Sequence, residues 1–327
     1  MAKESQPSST DSKPKSDAPA RSLRLGLTGA TGFIGYAITE AAEEAGHEVI
    51  GFSRHPDQEV PGVGEMRDFS HPDRADYSGL DAVIHLAGEP IFGLWTEEKK
   101  RRIFDSRVEG TRALIRGIEK MRSSERPKTL VCASAVGYYG DTGEAVVDED
   151  CDAGFGFLSE VVRGWEAAAR EAEDIGMRSV SVRIGFVLGE KGGALPLMAR
   201  VFRACLGGRL GSGQQWMPWV HVRDVARAFV SAAEKDVFEG PVNAVAPEPV
   251  RNAKFTETLA RVLGKPAVLP APEFAIKLAP GGMSELFLNS QRVDPAVLRL
   301  RAFEWEFSDL ESAIRGALPA GDSQGGE

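Results

Sequence analysis

The chain has 327 residues, enough for one large α/β unit with an appended lobe or for two domains, and its apolar content allows a sizeable buried core. Its formal net charge of −9 repels phosphate backbones and argues against nucleic-acid binding, while leaving room for a local basic pocket around one phosphate. Cys132, Cys151 and Cys205 match neither a zinc spacing nor a CxxC pair, no apolar run approaches a bilayer span, and the N-terminus has no apolar signal region, so a cytoplasmic protein without membrane or metal partners is expected.

Residues 1–22 are rich in Ser, Pro, Lys and Asp, cannot offset their ordering entropy by burial, and read as a disordered tail. The acidic Glu4, Asp11 and Asp17 argue against a transit peptide. From Leu23 apolar strands alternate with amphipathic helices. Strands are expected at Leu23 to Thr28, Glu48 to Phe52, Asp81 to Leu86, Thr129 to Ala133 and Arg178 to Ile184. Helices are expected at Phe33 to Ala45, ended by Gly46, at Thr96 to Met121, and at Phe157 to Ile175. This alternation predicts an α/β fold, a Rossmann-like doubly wound parallel sheet with helices on both faces. Beyond Gly185 the regularity fades and prolines interrupt the helices, which predicts a smaller C-terminal substrate lobe. The expected division is a core of 23–186 to which 221–246 returns, a lobe of 187–220 and 247–318, and a flexible end at 319–327.

The turn between the first strand and first helix, Thr28-Gly29-Ala30-Thr31-Gly32-Phe33-Ile34-Gly35, has the dinucleotide spacing in its required strand-to-helix context. Gly29 permits the tight turn, Gly32 lets the backbone approach a diphosphate, and Gly35 lets the helix close on the sheet, while the helix N-terminus favours the anion. The second strand ends in Ser53-Arg54 rather than in an acidic residue. A hydroxyl and a guanidinium suit a 2′-phosphate, so NADP(H) is the expected cofactor, the alternative being that Arg54 is a solvated charge. Small residues after the Asp81 to Leu86 strand, Ala87-Gly88-Glu89, let a cofactor lie across the strand end, and Arg101 and Ser106 on the next helix are expected to face the same crevice.

The glycine turn, the run Asp81 to Pro90 and His221-Val222-Arg223-Asp224-Val225-Ala226 resemble the extended short-chain dehydrogenase/reductase, or NAD-dependent epimerase/dehydratase, superfamily. Ser134 to Gly140, Val187-Leu188-Gly189, Leu210 to Met217, Asn243 to Val250, Ser290-Gln291-Arg292-Val293 and Phe303-Glu304-Trp305 are similar to its YfcH/SulA-like branch and that branch's C-terminal domain. The resemblance implies a Rossmann core, a substrate lobe and NADP(H) binding. Gly29, Thr31, Gly32, Phe33 and Ile34 match the glycine loop, Ser53 and Arg54 the 2′-phosphate site, and His85 and Leu86 the strand-end contacts. Arg101, Ser106 and Phe186 match more distant cofactor contacts. Relatives pair through two long helices, which makes a homodimer a candidate assembly, opposed here by Lys99, Lys100, Arg101 and Arg102.

The resemblance also exposes a gap. The superfamily's acid/base is a Tyr with a Lys four residues later, whose cation brings the phenol within reach of neutral pH. Tyr36, Tyr77, Tyr138 and Tyr139 are followed at that distance by Glu40, Asp81, Thr142 and Gly143. If Glu166 takes the family's acidic place, Leu158 and Val162 stand where Tyr and Lys would be. Ser134 matches the place of the catalytic Ser, and Tyr138 and Tyr139 are candidate phenols. The alternatives are a loop hydroxyl satisfying backbone groups and two rings that pack the lobe. His221 and Asp224 read as a structural histidine and a helix-start cap rather than as parts of a triad. Gln214, Gln215, Trp216, Met217 and Trp219 form either a cleft wall or lobe core. Three functions remain: an NADP(H)-dependent oxidoreductase acting on an unidentified small molecule, a non-catalytic NADP(H)-binding regulatory or redox-sensing module, and a nucleotide-sugar epimerase, which needs the missing pair.

Overall fold

The computed structural model describes residues 21–278 and 284–319. Seven parallel strands form the central sheet: β1 (Arg24–Thr28), β2 (Glu48–Ser53), β3 (Val63–Asp68), β4 (Ala82–His85), β5 (Thr129–Ala135), β7 (Arg178–Ile184) and β11 (Gly240–Ala244), β6 being a short strand of the lobe at Val146–Val147. The spatial order is β3-β2-β1-β4-β5-β7-β11. The order in which strands are added reverses between β1 and β4, and the crevice outside such a switch point is where open α/β sheets bind ligands.

α1 (Phe33–Glu44) and α5 (Val222–Glu234) pack together on one face, and α2 (Glu97–Glu119) and α3 (Phe157–Arg170) pack together on the other. This is the doubly wound arrangement. The sheet is apolar because both faces are covered: β4 is buried throughout, and β5 is buried from Thr129 to Ser134. The edge strand β3, Val-Gly-Glu-Met-Arg-Asp, is the exception. It has no buried residue and therefore no apolar run by which the sequence could announce it.

The ends of two helices depart from expectation. Thr96 caps α2 by accepting from Lys99 N, so the helix proper begins at Glu97. The expected helix Phe157 to Ile175 is α-helical only to Arg170 and continues as a 3-10 turn, Glu171–Ile175, which tightens toward Gly176 at φ 83°. Arg21 and Ser22, expected in the tail, are tied down: Arg21 pairs with Asp81 and Ser22 Oγ donates to Gly46 O at 2.7 Å. The rest of that tail, and the C-terminal end after Pro319, lie outside the described residues.

Beyond β7, the parallel pair β8 (Phe186–Leu188) and β10 (Trp219–His221) carries the chain into a second layer. α4 (Leu195–Arg203), β9 (Trp216–Met217), β12 (Val250–Arg251), α6 (Asn252–Val262), α7 (Glu273–Lys277), α8 (Glu285–Leu288), β13 (Arg292–Val293), α9 (Ala296–Leu300) and α10 (Leu310–Gly316) complete it. Its core is separate from that of the sheet and centres on Trp219, Phe202, Phe255, Leu259 and Ile314. No helix among the described residues is long and apolar enough to cross a membrane.

Candidate functional site

The glycine turn opens the crevice. Gly29 has φ 77°, a conformation that L side chains rarely adopt, and its position faces Leu86 of the neighbouring strand end. Gly32 N donates to Gly29 O at 2.9 Å, and Gly32 caps α1 without any side-chain acceptor, so the first-turn amides of α1 remain free for an anion. A Cβ on Gly35 would collide with Gly29 O. Thr31 is exposed at the rim, Ile34 packs against the sheet core, and the Phe33 ring is covered by Gly189 and Gly192.

At the end of β2, Ser53 Oγ accepts from His55 N at 3.0 Å. Arg54 is exposed and has no acceptor or counter-ion among the described residues. The set fits a phosphorylated dinucleotide: free amides for the diphosphate, then an uncommitted guanidinium one strand over for a further phosphate.

The β4 end is locked by Thr28. Its Oγ1 accepts from Leu86 N (3.0 Å) and Ala87 N (3.1 Å), so its own proton goes to His85 Nδ1 at 2.8 Å. The His85 ring then carries its proton on Nε2, which is buried without a partner, and burial lowers the ring to about 4. His85 is thus a neutral side chain beneath the strand end, and the residues at the surface are Leu86, Ala87 and the exposed Gly88.

Glu89 sits on α2. Its carboxylate takes Lys99 at 2.7 Å and Arg102 at 3.5 Å, which hold it below the usual carboxylate range, and its N–H donates to Ser106 Oγ at 2.9 Å. Ser106 therefore lies against the loop after β4, its hydroxyl donating to Ile103 O at 3.1 Å. Arg101 does not join it: five residues on a helix are about 140° apart, so Arg101 follows the stripe of Phe104 and Val108, which meet Gly164 of α3. Arg101 is exposed and unpaired among the described residues. Phe186 sits at the lobe seam, edge-on to Phe255 with centroids 5.6 Å apart.

At the end of β5 the candidate catalytic groups face one another. Ser134 Oγ donates to Glu166 Oε1 at 2.5 Å, and Arg183 grips the same carboxylate through Nε (2.8 Å) and Nη2 (2.9 Å). Arg183 Nη1 donates to the Tyr139 hydroxyl at 2.9 Å, whose one proton is shared between Asp148 O and Asn243 Oδ1, both 2.8 Å away. Ser134, Glu166, Arg183, Tyr139 and Asn243 are all buried, and burial pushes the Tyr139 phenol well up. Tyr139 is thereby a brace rather than an accessible phenol. Tyr138 differs: its ring lies 3.6 Å below the Arg183 guanidinium, it is partly exposed, and its hydroxyl has no partner among the described residues. Leu158 faces Gly137 and Val162 is buried, so the helix face that would carry Tyr and Lys is apolar.

The lobe closes over this loop by hydrogen bonds invisible in the sequence. Gln291 Nε2 donates to Val136 O (2.9 Å) and Gly140 O (2.8 Å), and Ser290 Oγ donates to Gly143 O at 2.6 Å. His221, not Asp224, caps α5, accepting from Arg223 N. Asp224 instead clasps the lobe by accepting Glu306 N (2.7 Å) and Phe307 N (3.0 Å). Of the amide-aromatic patch, Trp219 and Gln215 are buried, and Trp216 is flanked by Arg251 and Arg292. Arg107, which sequence reasoning passed over, lies beneath the Ala87–Glu89 segment; its only signal was a cation on the inner face of a helix.

Comparisons with known proteins agree with this geometry. The model of the NAD dependent epimerase/dehydratase family matches residues 26–244, and a domain of unknown function, DUF1731, matches 271–317. The chain is 39% identical over 297 residues to the epimerase family protein YfhF of Bacillus subtilis, covering 89% of this chain and 97% of the relative. It superposes on the crystal structure of the human epimerase family protein SDR39U1 with NADPH at a TM-score of 0.82 and 34% identity, covering 90% and 99% of the two chains. A nucleoside-diphosphate sugar epimerase from Corynebacterium glutamicum gives 0.72 at 31% identity, over 91% of this chain and 58% of that one. The chain belongs to the NAD dependent epimerase/dehydratase family.

Proposed function

We propose that the protein is an NADP(H)-binding oxidoreductase of the epimerase family that reduces a small-molecule carbonyl without a Tyr-x-x-x-Lys pair. The observation that carries the cofactor reading is the uncommitted Arg54 one strand away from the uncapped first turn of α1. The human relative crystallised with NADPH supports it. When bound, the nicotinamide supplies the hydride; the protein supplies position and field. Gly29, Gly32 and the first-turn amides of α1 hold the diphosphate, Ser53 and Arg54 the 2′-phosphate, and Leu86, Ala87 and Gly88 give the cofactor room to cross β4. Tyr138, whose hydroxyl has no protein partner among the described residues, is the group assigned to hold or move a proton at the substrate oxygen.

The segment 187–220 with 247–318 is assigned as the substrate cover, and the match to DUF1731 supports placing the chain in the YfcH/SulA-like branch. Three free cysteines support a cytoplasmic location, and a homodimer through α2 and α3 remains the proposed assembly. Lys99, Lys100 and Arg102 do not stand against it as free charges, because each is paired within its own chain.

A second reading has its own observation. Ser134 and Tyr139 are both consumed in the buried network, which favours a module that binds NADP(H) without turnover. Incubation with NADPH and a panel of carbonyls and sugar nucleotides, followed at the absorbance of the reduced nicotinamide, separates the two. Consumption abolished in Tyr138→Phe supports the oxidoreductase. Saturable binding without consumption across the panel overturns it in favour of the module.

A further inference from the structure

Charge is spread unevenly along the chain. It carries 48 Asp and Glu, yet none lies between Lys191 and Arg223 and none between Thr258 and Pro272. The fold sets these two stretches side by side in the lobe. Leu269 N donates to Gly207 O (3.2 Å), Ala271 N to Arg209 O (2.9 Å) and Gly211 N to Ala271 O (2.8 Å). α4 leads into the first stretch with Leu197 and Val201 one turn apart, and Leu206 N closes back on Val201 O at 3.1 Å. α7 follows the second stretch and has no buried residue. Leu197, Leu206, Val268, Leu269, Phe274 and Leu278 are each more than half exposed. With Val201 they make seven of the thirteen large apolar side chains exposed among the described residues, so the exposure is gathered on one face. Single exposed apolar side chains are ordinary, whereas a gathered patch marks a surface that meets something.

The charges around the patch decide its occupant. Arg200, Arg209 and Lys265 are exposed and have no counter-ion among the described residues. The carboxylates that border the second stretch, Glu257 and Glu273, are paired with Lys254 (3.6 Å) and Lys277 (2.6 Å). A face with free cations on an otherwise acidic protein calls for an anionic occupant. A second copy of the chain would set the same cations against each other. Long cations interleaved with leucine, valine and phenylalanine on protruding loops suit a bilayer boundary, where the apolar side chains enter and the cations stay at the headgroups. We propose that this face of the lobe docks on an anionic lipid bilayer. Such a contact needs no spanning helix, and none occurs among the described residues. It departs from the expectation of a chain without membrane partners, which rested on the lack of a spanning run, and it does not depend on the cofactor reading.

The test is flotation of the full chain with vesicles of phosphatidylcholine alone and of phosphatidylcholine with phosphatidylserine, alongside thermal unfolding and light-scattering mass of the protein by itself. One double variant removes apolar contacts, Leu269→Glu with Leu278→Glu, and the other inverts charge, Arg200→Glu with Arg209→Glu. All four side chains are exposed, so the unfolding temperature should hold. The proposal expects the wild type to bind the serine-lipid vesicles at least about tenfold more tightly than the uncharged ones, less tightly in high salt, and each double variant to lose at least about tenfold. Should a double variant unfold early, the single changes Val268→Glu and Arg209→Gln take its place, each with a loss of at least about threefold. Wild type that does not float with serine-lipid vesicles overturns the proposal, as does equal binding to both vesicle types. Folded variants that bind as the wild type does overturn it too. Concentration-dependent association of the protein alone, abolished by Leu269→Glu and without flotation, overturns it and gives the face to a second copy.

Discussion

The two ends of the crevice treat polar groups in opposite ways. At the β1–β2 end the first-turn amides of α1 lack a cap and Arg54 lacks a partner. At the β5–β7 end Ser134, Glu166, Arg183, Tyr139 and Asn243 satisfy one another in a buried chain that reaches Asp294 O through Asn243 Nδ2 at 2.9 Å. Unpaired groups at a surface are ready for a ligand, whereas a satisfied buried network mainly specifies one arrangement of the chain. By that contrast Ser134, at the end of β5, belongs with the satisfied groups.

The comparison can be broken most forcefully at Glu166. Glu166→Ala leaves the Arg183 guanidinium buried and unpaired, and urea unfolding should show a loss of about 3–5 kcal/mol. A loss below about 1 kcal/mol would mean the network is not the brace described. The pH dependence of unfolding is a separate test, read through two buried neutral histidines, His85 under the cradle and His221 at the lobe seam against Phe307 (3.8 Å between centroids), both lowered to about 4 by desolvation. Between the ordinary value near 6.5 and about 4, the unfolded chain binds more protons than the folded one. Stability therefore falls as pH drops through that window and levels off below it, by about 3 kcal/mol for each ring. His221→Gln should flatten part of that slope; an unchanged slope refutes the assignment.

Smaller effects sharpen the contrast. Arg54→Ala should cost roughly tenfold, about 1.4 kcal/mol, in the preference for NADPH over NADH with no change in unfolding beyond about 0.5 kcal/mol; a preserved preference removes Arg54 from the phosphate site. Ser134→Ala should do the reverse, lowering stability by about 1 kcal/mol and leaving NADPH affinity intact, since Arg183 still grips Glu166 through two bonds. Weakened NADPH binding in that variant would return Ser134 to the cofactor site.

The cradle was legible because its requirements are local. A strand, a helix and glycines at fixed spacing lie within a dozen residues, and the backbone φ that Gly29 must adopt is a property of one position. The end of β2 at Ser53, with Arg54 exposed beside it, was legible from the apolar strand that precedes it. The edge strand β3 was not, because an exposed edge needs no apolar pattern. Asp224 was misread as a cap because the donors to its carboxylate, Glu306 N and Phe307 N, come from a segment more than 80 positions away.

Sequence by itself determined the doubly wound sheet, the glycine cradle and the absence of the Tyr-x-x-x-Lys pair, since these follow from periodicity, spacing and residue identity along one stretch of chain. Tertiary structure alone decided that Ser134 and Tyr139 are held in a buried network, that Arg101 is exposed while Ser106 bonds the loop after β4, and that Arg107 lies under the β4 end. The physical reason is that whether a polar group is free or satisfied depends on partners brought by other elements, and a side chain's availability is a property of the fold around it.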